Sequence, residues 1–275
     1  MTAVLTTELY KAGRRLRTYI AYAIVAAIPI IMTVVLKLNP PSPGDGPVFA
    51  YLGSQSGLLI PAFALRVTSE FLLVVMFALF AGDAIAGEAN WGSLRYLLMR
   101  PVPRGRLFTA KLLVAIVYGW LAVGLVVVVG TLVGGAFFGF NGIDLGFGLF
   151  RDLSRFSQTP AEILGHLAIA WLYVSWFLTT VTAFSFMLGC MTDSPMGAIL
   201  GGVGLWITFA ILDAISSLGQ IRYFIPTHWS GAWADMFTHN HVSSDLVRGS
   251  LLTLGYVILF VGFGAWWFTR KDILS

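Results

Sequence analysis

Charge is the first thing this sequence has little of. Asp, Glu, Lys and Arg make up 11% of its 275 residues, against roughly 25% in an average soluble domain. So few charges cannot cover a water-facing surface, which excludes a soluble enzyme, a charged coiled coil and a disordered chain. Cysteine is nearly absent as well. Cys190 stands alone, which excludes an intramolecular disulfide and any multi-cysteine metal site; set in an apolar run, it reads as a small packing residue. No Lys- and Arg-rich face with interleaved aromatics points to nucleic acid. Catalytic signatures are missing too. There is no G-x-x-x-x-G-K-[ST], since Gly87 to Gly92 followed by Ser93 lacks the phosphate-reaching lysine. ATP hydrolysis by this chain itself is therefore not expected. There is also no H-E-x-x-H and no G-x-S-x-G serine with a plausible histidine, so no catalytic residue and no cofactor of its own is assigned.

What the chain has is apolar length. It is 57% hydrophobic and 14% aromatic, with a mean hydropathy of +0.83, and the apolar residues run in blocks. A helix needs about 20 such residues to cross a bilayer. Six stretches qualify: 18–36, 67–86, 112–138, 163–191, 196–212 and 249–268. The expected fold is all-α, a single six-span polytopic membrane domain over 1–275. The second stretch is the weakest, because it carries Glu70 and Asp83. A signal peptide is the competing reading of the first, but its run is too long for an h-region and no convincing small-x-small cleavage site follows. With the N-terminus inside, eleven Lys and Arg lie on the cytoplasmic side and six outside. That bias predicts both termini in the cytoplasm.

The connections differ in character. The segment 39–57 holds Pro40, Pro41, Pro43 and Pro47 with Gly44 and Gly46, and reads as a stiff outer crossing with no helical period. The segment 216–247 carries Tyr223, Phe224, Trp229, Trp233 and Phe237, so it is expected to lie at the outer interface or to dip into the bilayer. Within 1–17, Leu5, Leu9, Ala12 and Leu16 form one helical face, with Glu8, Lys11, Arg14 and Arg15 on the remaining surface. That pattern fits an amphipathic helix along the inner leaflet, or a charge cluster that only sets topology. Several outer ionisable groups invite functional readings. Arg66 and Glu70, four apart, are expected to pair, and Asp213 to be reached by Arg222 or Arg248. The three could line a substrate path or anchor the span ends. His239 and His241, with Asp235 and Asp245 near, could bind metal, but three converging ligands are needed.

The segment after the second span is more specific. Gly87-Glu88, Gly92-Ser93-Leu94-Arg95, Leu97-Leu98 and Arg100-Pro101-Val102-Pro103-Arg104 are followed by Lys111. Trp91, Leu94 and Leu98 share a helical face, Glu88 and Arg95 stand off it, and Pro101 forbids continuation. A short, rigid, capped helix at the end of a span suits a docking element better than a topogenic loop. This segment resembles the signature of ABC-2 type permeases, the membrane subunits of type V ABC transporters. That pattern reads roughly G-E-x-x-x-G-T-L-(E/R)-x-L-L-x-x-P-V-S-R with a following lysine. Ser93 replaces the usual Thr and Pro103 the usual Ser. Six spans, an amphipathic N-terminal helix and a basic C-terminus agree with it across the chain, although only 82–111 is specific.

The resemblance implies a coupling helix within 87–104 that fits a groove on a separate P-loop ATPase. Glu88, Trp91, Leu94, Arg95, Leu98, Arg100, Pro101 and Arg104 would carry or position that contact. It implies two ATPase copies binding ATP and magnesium, a second permease copy or paralogue, and export across a bacterial plasma membrane. Apolar walls suit an amphipathic or hydrophobic cargo such as a drug, lipid or peptide. A secondary transporter would need paired charges at mid-membrane, and a membrane enzyme a convergent polar site within the spans.

Overall fold

A computed structural model describes residues 2–42, 47–90, 103–145, 156–239 and 244–270. Its architecture is all-α, with six helices long and apolar enough to cross a membrane. Helix α1 (Thr2–Gly13) precedes the first span, α2 (Leu16–Leu38). A short α3 (Val48–Gln55), a 3-10 turn (Gly57–Leu59) and α4 (Ile60–Glu70) lead to the second span, α5 (Leu72–Asn90). The remaining spans are α6 (Arg104–Phe138), α7 (Pro160–Met191), α8 (Pro195–Ala214) and α10 (Ser244–Arg270). A four-residue α9 (Met236–His239) lies before the last.

Local chemistry sets most of these boundaries. Thr159 and Glu162 close a reciprocal capping box at the start of α7, where Pro160 fills a position that needs no N–H. Ser194 accepts from the Gly197 amide and starts α8 three residues after α7 stops. At the far end of α6 the chain turns out of the helix at Gly139, with φ of +84°.

The structure departs from the sequence expectation in four places. The apolar stretch 67–86 is not one helix. Phe71, at φ −141° and ψ −56°, breaks it into α4 and α5. The 39–57 crossing contains the helix α3, whose Phe49, Ala50, Tyr51 and Leu52 are buried. Eight residues give barely two turns, too short for a period to stand out among the prolines. An antiparallel ribbon pairs Ile143–Leu145 with Phe156–Gln158, Ile143 opposite Gln158. Within 216–247 the described residues form three 3-10 turns, α9 and the first turn of α10. Of its aromatics, Trp233 and Phe237 are fully buried, packed on Phe49.

The bundle therefore has two distinct ends. At the aromatic end, α3, α4, the ribbon and the 3-10 turns close over the helices. Tyr173 donates to the Trp229 carbonyl at 2.8 Å and Gln158 to that of Met236 at 2.9 Å. The basic end gathers α1, the end of α5, the start of α6 and the end of α10. Helices α5 and α7 are the most enclosed spans, while α8 and α10 keep wide apolar faces on the outside. Close crossing of the 3-10 turn over α6 requires glycine on both sides. A Cβ on Gly57 would strike the Gly134 carbonyl, and one on Gly134 would strike that of Gly57. Gly134→Val is expected to destabilise the fold by about 1–3 kcal/mol through overpacking. Gly204→Ala, where a Cβ meets open space, should be neutral or slightly stabilising. Thermal unfolding in detergent compares the two.

Candidate functional site

The basic end is built around a lysine that the apolar surroundings should not tolerate alone. Lys111 lies in the third turn of α6 and is 3% exposed. Its Nζ meets Glu88 Oε2 of α5 at 2.8 Å and Glu8 Oε2 of α1 at 3.0 Å. Lys11 closes the cluster, 3.1 Å from Glu8 Oε1 and 3.7 Å from Glu88 Oε1. Two ammonium groups and two carboxylates balance, which is what makes the burial of Lys111 bearable. Burial by itself would raise the Glu8 carboxyl; the Lys111 and Lys11 ammonium groups outweigh it and hold it below the usual glutamate range.

A second cluster lies one turn deeper along α5. Asp83 is 8% exposed. It accepts from Arg15 at 2.6 Å and from Arg17 through a closer contact. Gly87, one turn on, leaves the space this needs, since a Cβ there would sit 2.6 Å from the Asp83 carboxylate. Uncharged bonds complete the clamp on α1. Tyr118 of α6 donates to the Leu9 carbonyl at 2.9 Å, and Thr18 to that of Ala12 at 2.8 Å. A cavity of about 40 Å³ remains between α1, α5 and α6, lined by Glu8, Lys11, Arg15 and Lys111 among others; that is room for ordered water.

Directly beneath, Ile85 of α5, Phe108 and Leu112 of α6, Phe186 and Cys190 of α7 and Phe268 of α10 form one apolar cluster. Phe108 sits edge-on to Phe186 at 5.1 Å and tilted on Phe268 at 5.9 Å. Arg104, the first residue of α6, donates to the Thr269 carbonyl at 3.3 Å and so ties in the end of α10. The helix ends on either side of residues 91–102, at Asn90 and Arg104, are thus anchored.

Of the residues assigned from sequence to ATPase docking, Trp91, Leu94, Arg95, Leu98, Arg100 and Pro101 lie outside the described residues. Glu88 and Arg104 are described, and both are turned to the protein. Glu88 is 7% exposed and paired with Lys111; the face of Trp91, Leu94 and Leu98, off which it is expected to stand, lies outside the described residues. Glu8 likewise leaves the polar surface of α1 for the interior, and Leu16, expected on its apolar face, is 73% exposed at the start of α2. Asp83, one of the two charges of the second apolar stretch, is held by two arginines.

At the aromatic end the expected pairs form. Arg66 and Glu70 pair at 3.3 Å on α4. Asp213 accepts from Arg222 at 3.2 Å and lies 2.7 Å from His228 Nδ1. Arg248 turns instead to Asp245, 3.7 Å away. No ion pair joins Arg66 or Glu70 to Asp213 among the described residues. His241 and the side chain of His239 lie outside them, and no group of three metal-binding residues is found within them. Sequence reasoning missed the partners of Lys111 and Asp83. The signal was present: Glu8 is the one acid in an otherwise basic first helix, and Asp83 and Glu88 sit five apart among small apolar residues.

Six long apolar helices around a buried core, with charge gathered at one end, define a polytopic membrane protein. A family model described as a protein of unknown function (DUF2705) matches residues 26–274, and the chain belongs to that family. It is 24% identical over 238 residues to the uncharacterized protein YhcI of Bacillus subtilis (strain 168), covering 83% of this chain and 68% of the relative. Asp83, Glu88 and Lys111 fall within the family match, while Glu8, Lys11, Arg15 and Arg17 precede it.

Lys111→Met should destabilise the protein by about 3–5 kcal/mol, the cost of stripping a buried pair of one partner, and should expose 1–17 to protease. Glu8 gives the cluster a pH dependence. Because its carboxyl is lowered in the fold, its contribution is complete above the unfolded glutamate value, about 4.3, and is lost as pH falls below that through the folded value. Thermal unfolding between pH 7 and pH 3 should show an acid-side drop that is smaller in Glu8→Gln.

Proposed function

We propose that this chain is the membrane-spanning permease subunit of an ABC-2 type exporter, driven by ATP hydrolysis in a separate P-loop ATPase. In this reading the basic end faces the cytoplasm of a bacterium, as the eleven-to-six distribution of Lys and Arg favours. The segment 87–104 is the docking element. Two copies of the ATPase bind ATP and magnesium, and a second permease copy or paralogue completes the complex.

The observation that carries the reading is the anchoring of both feet of that segment. A push on a loop moves a membrane helix only if the loop's base cannot fray. Here the base is an ion-paired, aromatic-packed block: Glu88 on Lys111 on one side, Arg104 and Phe108 against α10 on the other. An ordinary connecting loop needs none of this. Glu88 and Arg104 act in the proposal as positioning residues, and Trp91, Leu94, Arg95 and Leu98 supply the contact. Closure of the ATPase pair would press this block and shift α5 and α6 together, opening a path outward for an amphipathic or hydrophobic cargo such as a drug, lipid or peptide.

The test uses the full tagged chain, purified in mild detergent from its host, with subunits identified by mass spectrometry. Wild type is expected to carry a P-loop ATPase in near-equal amount. Leu94→Lys should lose most of it while unfolding at the wild-type temperature. Undiminished ATPase in Leu94→Lys, or an ATPase-free wild type, would overturn the assignment.

A further inference from the structure

On the outer flank of α6, just below α1, lies a lateral groove of about 530 Å³. Its floor is Leu121, Gly124, Leu125 and Val128 of α6, and its walls are Tyr22 of α2 and Trp171 of α7. Both walls have spent their polar tips. Tyr22 donates to the Tyr118 carbonyl at 2.8 Å, and Trp171 Nε1 to that of Trp120 at 3.1 Å. What they turn to the groove is ring surface. Leu121 and Val128 are more than half exposed. Gly124 makes the floor deep, and a Cβ there would already approach Trp171 Nε1 to 3.3 Å. An apolar cleft of this kind, at span depth, is filled by hydrocarbon and not by water.

The end nearest α1 determines what the hydrocarbon is attached to. Tyr118 lies one turn before Leu121; its hydroxyl holds the Leu9 carbonyl, and a Cβ on Gly13 would come within 2.7 Å of that hydroxyl. The groove therefore starts immediately under α1. Around that corner, among the described residues, the positive groups Lys11, Arg14, Arg15, Arg17 and Lys111 outnumber the carboxylates Glu8, Asp83 and Glu88 by two. Arg14 lies over the exposed Tyr10 ring, 5.0 Å from its centre. Apolar depth below and surplus positive charge above are the two halves of one ligand.

We propose that the groove is a binding site for an anionic phospholipid of the leaflet on the basic side. One acyl chain lies along Leu121, Gly124, Leu125 and Val128 between Tyr22 and Trp171, and the phosphate sits at the level of Arg14. The lipid wedges α2 and α7 against α6 and seats α1 on the membrane surface. This site shares no residue with the docking segment, so its failure would leave that reading untouched.

The experiment is photolabelling of the full chain in phosphatidylcholine nanodiscs. A trace of phosphatidylglycerol or of phosphatidylcholine, each with a diazirine in mid-chain, serves as probe, and adducts are mapped by mass spectrometry. Adducts of the glycerol lipid should concentrate on Leu121, Leu125 and Val128 over the exposed positions Leu200 and Ile258 of α8 and α10, and should exceed those of the choline lipid. Arg14→Ala should reduce that preference about fivefold, the effect of one basic residue near an anionic headgroup. Gly124→Phe, or Leu125→Trp if the first does not fold, should abolish groove adducts and leave those on α10 unchanged. Equal labelling of groove and α10, equal labelling by both probes, or groove labelling that survives the filling variants would overturn the proposal. So would a disulfide between copies through Val128→Cys, which would put a second copy in the groove.

Discussion

A single buried ammonium group organises one end of this protein. Lys111 cannot sit in an apolar bundle unless carboxylates come to it, and the two that come belong to different elements, Glu8 of α1 and Glu88 of α5. Satisfying one charge therefore fixes three segments relative to one another. Asp83 repeats the device a turn deeper, drawing in Arg15 and Arg17 at the junction of α1 and α2. The first helix is consequently tied into the folded body through Glu8, Lys11 and the Leu9 carbonyl.

The opposite end is held without charge networks of that depth. Glycine contacts let the 3-10 turn press on α6, and Trp233, Phe237 and Phe49 fill the space above α7 and α10. Backbone carbonyls of the 3-10 turns and of α9 are taken by Tyr173, Tyr256 and Gln158. Such an end can be irregular because its polar groups are answered by side chains. The contrast gives the molecule a stiff, ion-paired base and a closed aromatic cap.

Much of this was legible in the sequence. The six spans could be read because hydrocarbon imposes a length that composition reveals directly. The segment 87–104, the docking element of the proposal, stands out in the sequence because glycine, glutamate and proline stand at fixed intervals. What could not be read is where a charge looks. Glu88 and Glu8 fall on the polar side of any helical wheel, yet both turn inward, because Lys111 waits there from a helix more than twenty residues away in sequence from the nearer of the two. The break at Phe71 was hidden for a related reason. Residues 67–70 before it and Leu72 onward after it fall in one stretch whose overall apolar character reads as a single span, so periodicity carries no signal for the break, and α4 packs beside α6. Helix α3 is too short for its period to speak. The Asp213–His228 contact joins residues across a loop whose path no pattern specified.

The central claim is that this bundle transmits force from a soluble motor through the segment anchored on Lys111. Native mass spectrometry of the wild-type particle, released intact from lipid nanodiscs, tests it most directly. The account predicts a particle holding two permease chains and two P-loop ATPase chains, which sheds the ATPase pair when Lys111 is replaced by Met. A particle made of this chain alone, or one whose ATPase content is indifferent to Lys111, would contradict it.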